Sequence, residues 1–263
     1  MPSGQTADCV TTLCRADKSD EMKSYTIEPL GDSALLIRFG KQIAIEAHRQ
    51  VMEAKQLLEQ RPFHGLVEVV ISYAAIAVHY EPIAVLQQQL PVGKQRDSTV
   101  FTIVAQIVEE ILAEQRVSLG EEQCSSPVIE VPVCYGGSFG PDLAELAAAC
   151  QLSVQEVIAI HSEPLYLIYM LGFAPGFPYL GGMDERITYK RRDQPRTLVA
   201  AGSVGIAGLQ TGIYPTAMPG GWNIIGRTPL TLFDADHDPP AVLQAGKRIK
   251  FVPISEAEYD KWV

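Results

Sequence analysis

Two short apolar runs, 25–28 and 34–39, flank the turn residues Gly31-Asp32-Ser33, which predicts a pair of strands. The period then changes. Ala47, Val51, Ala54 and Leu58 fall on one helical face, so residues 43–60 predict a helix with a single buried stripe. Runs 66–72 and 75–80 read as two more strands. Pro82 opens a short helical piece and 93–97 form a polar break. Residues 99–116 predict a second long helix with Val104, Ile107, Val108, Ile111 and Leu112 inward, and 128–133 another strand. Strands interrupted by two helices suggest a small α+β unit near a split βαβ arrangement, ending near residue 127 in the polar stretch 118–126.

The second half changes character. Gly136-Gly137 and Gly140-Pro141 precede a helix at 141–150, where Pro141 suits a first turn. Ser153 with Glu156 three residues on is a capping-box pattern that starts another helix. Beyond His161 the helical period disappears. Short apolar runs at 165–171, 197–201, 222–225, 230–233 and 248–252 alternate with Gly and Pro, which predicts an all-β sandwich or barrel with two appended helices. Residues 1–21 are polar and aperiodic, and read as a disordered tail or a mispredicted start.

Composition narrows the partners. At 263 residues the chain suits two compact units, and 47% apolar content suffices for real cores. A formal net charge of -10 disfavours nucleic acid and anionic lipid. The helical pair at 141–161 superficially resembles a DNA-reading motif, but its second helix has no Lys or Arg and carries Glu156. No apolar run reaches the roughly 20 residues of a membrane helix and no secretory signal is visible, so a cytoplasmic, non-membrane protein is expected. Cys9, Cys14, Cys124, Cys134 and Cys150 are odd in number with no Cys-x-x-Cys, which points to reduced thiols. The run Asp234–Asp238 has metal-ligand residue types without calcium-loop spacing, and no metal is expected.

Candidate chemistry concentrates in two segments. Residues 172–182 (GFAPGFPYLGG) place Phe173, Pro175, Gly176, Phe177 and Tyr179 in a stiff, shaped loop, because Pro fixes φ and Gly permits positive φ. Such a loop suits a small-ligand pocket or partner docking; a turn-rich barrel corner is the alternative. In 201–229 Gly202, Gly205 and Gly208 recur every three residues, which is not a dinucleotide-binding pattern. They let a ligand or backbone approach, with Gln210, Tyr214, Trp222, Asn223 and Arg227 as hydrogen-bonding candidates. Bulges and tight turns, with Arg227 on the surface, are the alternative. Lys190-Arg191-Arg192 and Arg196 form a basic cluster that suits an anionic substrate, a phosphate or an acidic partner, or else a solvated loop. His161 reads as a helix C-cap. His48, His64 and His79 have no visible partner. No Walker loop, Gly-x-Ser-x-Gly or His-Glu-x-x-His occurs, so the chain supplies binding and electrostatics rather than a self-contained catalytic group.

Segments 172–182, Pro195-Arg196, 201–215 (AGSVGIAGLQTGIYP) and 219–233 (PGGWNIIGRTPLTLF), with the opening 25–39 (YTIEPLGDSALLIRF), resemble the allophanate hydrolase subunit 1 family. The resemblance spans roughly residues 22–254; Lys247 after Gly246 departs from it at a terminal turn, where an acidic residue is expected. It implies a ferredoxin-like α+β domain over 22–127 and a mainly β, cyclophilin-like barrel domain over 128–263. Members include the B subunit of 5-oxoprolinase, which with the A and C subunits opens 5-oxo-L-proline to L-glutamate. ATP is then used by the complex, no cofactor is assigned to this chain, and the isolated chain is expected to be inactive. The family is also similar to half of the carboxyltransferase region of urea carboxylase. It includes an inhibitor of a sporulation histidine kinase, so a regulatory kinase-binding role is the alternative. Urea and a lactam share a resonance-stabilised N–C=O group, and a site for either must stabilise charge on its oxygen. Glycine-loop N–H groups with Arg196 or Arg227 would serve that end.

Overall fold

The computed structural model describes residues 25–42, 44–89, 99–113 and 127–262. The tail 1–21, the break 93–97, the boundary stretch 118–126 and Cys9, Cys14 and Cys124 lie outside them. The first half contains strands β1 (Thr26–Pro29) and β2 (Ala34–Arg38), helix α1 (Ile45–Gln60), strands β3 (Leu66–Ile71) and β4 (Ala75–Tyr80), and helices α2 (Pro82–Gln89) and α3 (Val100–Ala113). The strands form an antiparallel sheet in the order β1-β2-β4-β3. The expected stripe is the buried one: Ala47, Val51, Ala54 and Leu58 of α1 are all buried, and the last three meet Val104 and Val108 from α3 and Leu35, Ile37, Ile76 and Val78 from the sheet. Ile107 is only partly buried. The order β2-β4-β3 is that of a split βαβ unit, with β1 in the outer place. The strand after α3 leaves this sheet for the second half.

That strand is β5 (Ile129–Tyr135). Helices α4 (Leu143–Ala149) and α5 (Val154–Ser162) follow, then β6 (Tyr166–Leu171), β7 (Pro178–Gly181), β8 (Arg196–Val199), β9 (Ser203–Ala207), β10 (Gln210–Ile213), β11 (Met218–Gly220), β12 (Asn223–Arg227), β13 (Arg248–Ile254) and α6 (Glu256–Tyr259). Seven of these strands close a barrel in the order β10-β7-β6-β13-β5-β12-β9, while β8 and β11 form a separate ribbon. β5 and β13 pair in parallel across the whole second half, and the other barrel pairs are antiparallel. Val131, Val133, Ile168, Leu180, Val204, Ile206, Ile225 and Phe251 fill the interior. The capping box of α5 forms as expected: the Ser153 hydroxyl accepts from Glu156 N at 3.2 Å and the Glu156 carboxylate accepts from Ser153 N at 2.8 Å.

Three expectations change. Residues 230–233 form no strand; only Phe233 bridges to Ala241, because Pro229 ahead of the run and Pro239-Pro240 in the segment opposite it have no N–H to give a ladder. The glycine-rich stretches expected as loops contain β7, β9, β10 and β11. His161 is not a helix cap. It is fully buried in the barrel, stacked on Phe251 with ring centroids 4.5 Å apart. Thr211 Oγ1 donates to Gly205 O (3.1 Å), so it accepts from His161 Nε2 (2.9 Å), and Nδ1 accepts from the Tyr135 hydroxyl (2.7 Å). Burial pushes this imidazole down to about 3. Cys134 and Cys150 are free thiols. Among the described residues no single helix is long and apolar enough to cross a membrane.

Candidate functional site

The tight turn before β7 builds one wall of a pocket. Gly172 N donates to Phe177 O at 3.1 Å and Phe177 N to Ala174 O at 3.0 Å. Gly176 has φ +79 and lies where a Cβ would come within 2.9 Å of Phe233 Cβ, so glycine is required both by conformation and by space. The chain then enters β7 and buries Phe177. Its ring stands edge-to-face to Trp222 (5.5 Å, 90°), Tyr214 (5.5 Å, 86°) and Phe173 (5.7 Å, 79°), and tilts against Tyr179 (5.1 Å). Such geometry sets positive ring edges on negative faces and locks the rings mutually. Gly212 in β10 makes room for them, since a Cβ there would lie 3.0 Å from both Phe177 Cζ and Trp222 Cζ3. Phe177, Tyr179, Tyr214 and Trp222 belong to a small apolar cluster separate from the barrel interior.

Above the rings opens a cavity of about 270 Å³. Phe173, Phe177, Tyr179, Tyr214 and Trp222 supply its apolar lining; Arg191, Arg192, Pro195, Gly220 and Gly221 complete it. The 190–196 segment is fixed from behind by Asp142, just before α4, whose side chain is only 5% exposed. Its Oδ1 accepts from Arg192 Nη1 (2.9 Å) and Arg196 Nη2 (2.7 Å), and Oδ2 from Arg196 Nη1 (2.8 Å) and Ile224 N (2.6 Å). The Asp142 hydrogen bonds hold the Arg196 guanidinium above its usual range. A carboxylate with four donors is fully satisfied, which makes a buried charge tolerable. Lys190 pairs with Asp193 at 3.1 Å. Arg191 instead lies over the Trp222 ring, 6.0 Å from its centroid.

The candidates from the sequence therefore separate. Phe173, Phe177, Tyr179, Tyr214 and Trp222 converge on the pocket, with Gly176 and the exposed Pro175 in its supporting turn. Arg196 stands behind the wall, committed to Asp142. Gln210 points away and donates to the Tyr73 hydroxyl. Arg227 lies over Phe139, 5.9 Å from its ring, outside this pocket. Asn223 holds backbone rather than ligand, through Nδ2 to Lys190 O (2.7 Å) and Ile206 O (3.2 Å). Of the basic cluster, Arg192 and Arg196 are braced by Asp142, whereas Lys190 and Arg191 are exposed to solvent. Asp142 went unnoticed in the sequence because a carboxylate opening a helix looks like an ordinary N-terminal residue. Its partners lie some 50 positions away, at |i−j| of 50 and 54. Asp234–Asp238 is an exposed turn in which the Asp234 carboxylate accepts from Asp236 N (3.0 Å) and contacts His237 Nδ1 (2.8 Å).

A family model described as "Carboxyltransferase domain, subdomain C and D" matches residues 25–243. The chain is 49% identical over 236 residues to the 5-oxoprolinase B subunit of Bacillus subtilis (strain 168), covering 89% of this chain and 95% of that protein. It is 40% identical over 228 residues to the 5-oxoprolinase B subunit of Haemophilus influenzae, covering 86% and 96%. The crystal structure of TTHA0988 matches with a TM-score of 0.68 at 31% identity, over 84% of this chain and 39% of that chain, so this chain spans well under half of that longer one. The first sheet, the ring pocket and every segment that carried the resemblance fall inside the matched residues, and the chain belongs to the family of carboxyltransferase-domain subdomains C and D.

Proposed function

We propose that this chain is the B subunit of an ATP-dependent 5-oxoprolinase, helping to open 5-oxo-L-proline to L-glutamate with the A and C subunits. The nearly full-length likeness to proteins of that name is the observation that carries the reading. The pocket supports it. A lactam ring is small and flat, and the cage of rings around Phe177 offers apolar faces of matching shape. Ring opening develops charge on the amide oxygen, which the shaped site must offset. Arg196 and Arg227 do not line the cavity and are not assigned that role. The chain contributes a shaped site rather than a nucleophile, so ATP handling falls to the other subunits and the isolated chain is inactive. A cytoplasmic heteromeric complex goes with the reading, as do a ferredoxin-like first unit and a cyclophilin-like barrel. No feature among the described residues singles out a kinase partner.

The test is reconstitution. Lactam-dependent ATP hydrolysis is expected only when the A, B and C subunits are combined. Full activity from the A and C subunits alone would remove this chain from the reaction.

A further inference from the structure

We propose that Arg191 is the anion-recognising residue of the ring pocket, and that the site takes a small ring bearing a carboxylate in preference to the neutral ring. This deepens the proposed function and rests on it only for the choice of natural substrate.

Four basic residues stand between 190 and 196, and their partners distinguish them. Lys190 is paired with Asp193, and Arg192 and Arg196 share Asp142. Among the described residues Arg191 makes no ion pair; its contact is the Trp222 face. A guanidinium lying over an aromatic face keeps its N–H edge free, and that planar edge matches a carboxylate with two parallel hydrogen bonds. The backbone under Arg191 is clamped on both sides. Lys190 O accepts from Asn223 Nδ2 (2.7 Å) and Arg192 N donates to Gly221 O (2.9 Å). The backbone that carries Arg191 is thereby fixed before any ligand arrives, which lowers the ordering cost of binding.

Charge points the same way. Among the described residues no acidic one lines the cavity. Arg192 and Arg196 share the single buried carboxylate of Asp142 and Arg191 adds a third guanidinium, so the three arginines outnumber that carboxylate by two beside the pocket. The chain as a whole carries a formal -10, so this is a local reversal of its field. Aromatic faces bind the ring of either ligand; the free guanidinium adds affinity only for the anion.

The experiment compares two ligand pairs on the full chain by calorimetry. One is 5-oxo-L-proline against 2-pyrrolidinone, the same lactam without its carboxylate. The other is benzoate against benzamide. The wild-type chain is expected to prefer the anion by about ten-fold or more in at least one pair, the scale of one charge-assisted hydrogen-bonded contact. Arg191→Met should abolish that preference while leaving neutral-ring affinity within two-fold, and Arg191→Lys should restore part of it. The same signature should appear in the three-subunit mixture as a raised KM with little change in kcat. Absence of any preference in wild type overturns the proposal, as does equal loss of both ligands in Arg191→Met. An inactive three-subunit mixture with an intact Arg191-dependent preference for benzoate would sink the 5-oxoprolinase reading and leave this inference standing.

Discussion

Phe173 carries two costs at one position: its backbone is left-handed (φ 68) and its ring is 69% exposed. Left-handed backbone at a residue with a Cβ costs about 1–2 kcal/mol, and an exposed aromatic gains little from burial. The ring stands edge-on to Phe177 at the rim of the pocket, where a ligand would cover it. Phe173→Gly is therefore expected to hold or raise the melting temperature while weakening ring-ligand affinity about three- to ten-fold, seen by calorimetry beside a thermal melt. His161 makes a different residue-scale statement. Its folded value of about 3 lies below the ordinary 6.5, so the unfolded chain binds the extra proton across that interval. Stability from this group is complete above pH 6.5 and is lost as pH falls from there toward 3. His48, pushed by burial to about 4, acts in the same direction. For a histidine kept neutral, the loss at pH 5 is about 2 kcal/mol. Urea unfolding from pH 7.5 to 5 should show that decline. A flat profile would mean that the imidazole protonates without disturbing the barrel.

At the scale of elements, Asp142 links the start of α4, the 190–196 segment and β12. Asp142→Asn removes the charge that compensates two arginines and is expected to destabilise the chain by about 3 kcal/mol, the usual scale for breaking a buried pair. Its local sign should be greater acrylamide quenching of Trp222, measured in a Trp262→Phe background. A loss of stability with unaltered Trp222 quenching would show that the pocket wall stands without Asp142. The same element shows what a sequence can and cannot say. Helix α1 was legible because one face must be apolar at a period of 3.6, and α5 because Ser153 and Glu156 close a local box. Strands β9 and β10 were not, because Gly205 and Gly212 stand where alternation would put side chains. Those positions are empty to admit Trp222 and Phe177. The five pocket aromatics were visible as rings in stiffened segments. That Arg191, among four neighbouring cations, is the free one depends on distant Asp142, and no local spacing records it.

At the scale of the molecule, two separate cores meet along an aromatic seam, and the seam shares a ring with the pocket. Tyr73, in the turn between β3 and β4, lies 5.2 Å from Tyr169 and 5.9 Å from Tyr179, and its hydroxyl accepts from Gln210. His48 of α1 stands edge-on to Tyr169 at 4.6 Å. Gly246 takes φ +81, which favours glycine, and lies against Met52, whose Cε would be 3.0 Å from a Cβ there. Tyr179 faces this seam with one side and lines the ring pocket with another. A change in how the first unit sits would therefore be transmitted to the cavity through a single aromatic ring, with no loop rearrangement required. Tyr73→Ala removes the ring from the seam and touches neither core. Because each core has its own apolar cluster, the barrel should remain folded while the first unit melts earlier. Scanning calorimetry should show one transition dividing into two. Ring-ligand affinity should fall two- to five-fold as Tyr179 loses its backing. If the single transition persists and affinity is unchanged, the two cores are held together elsewhere and the pocket is independent of the first unit.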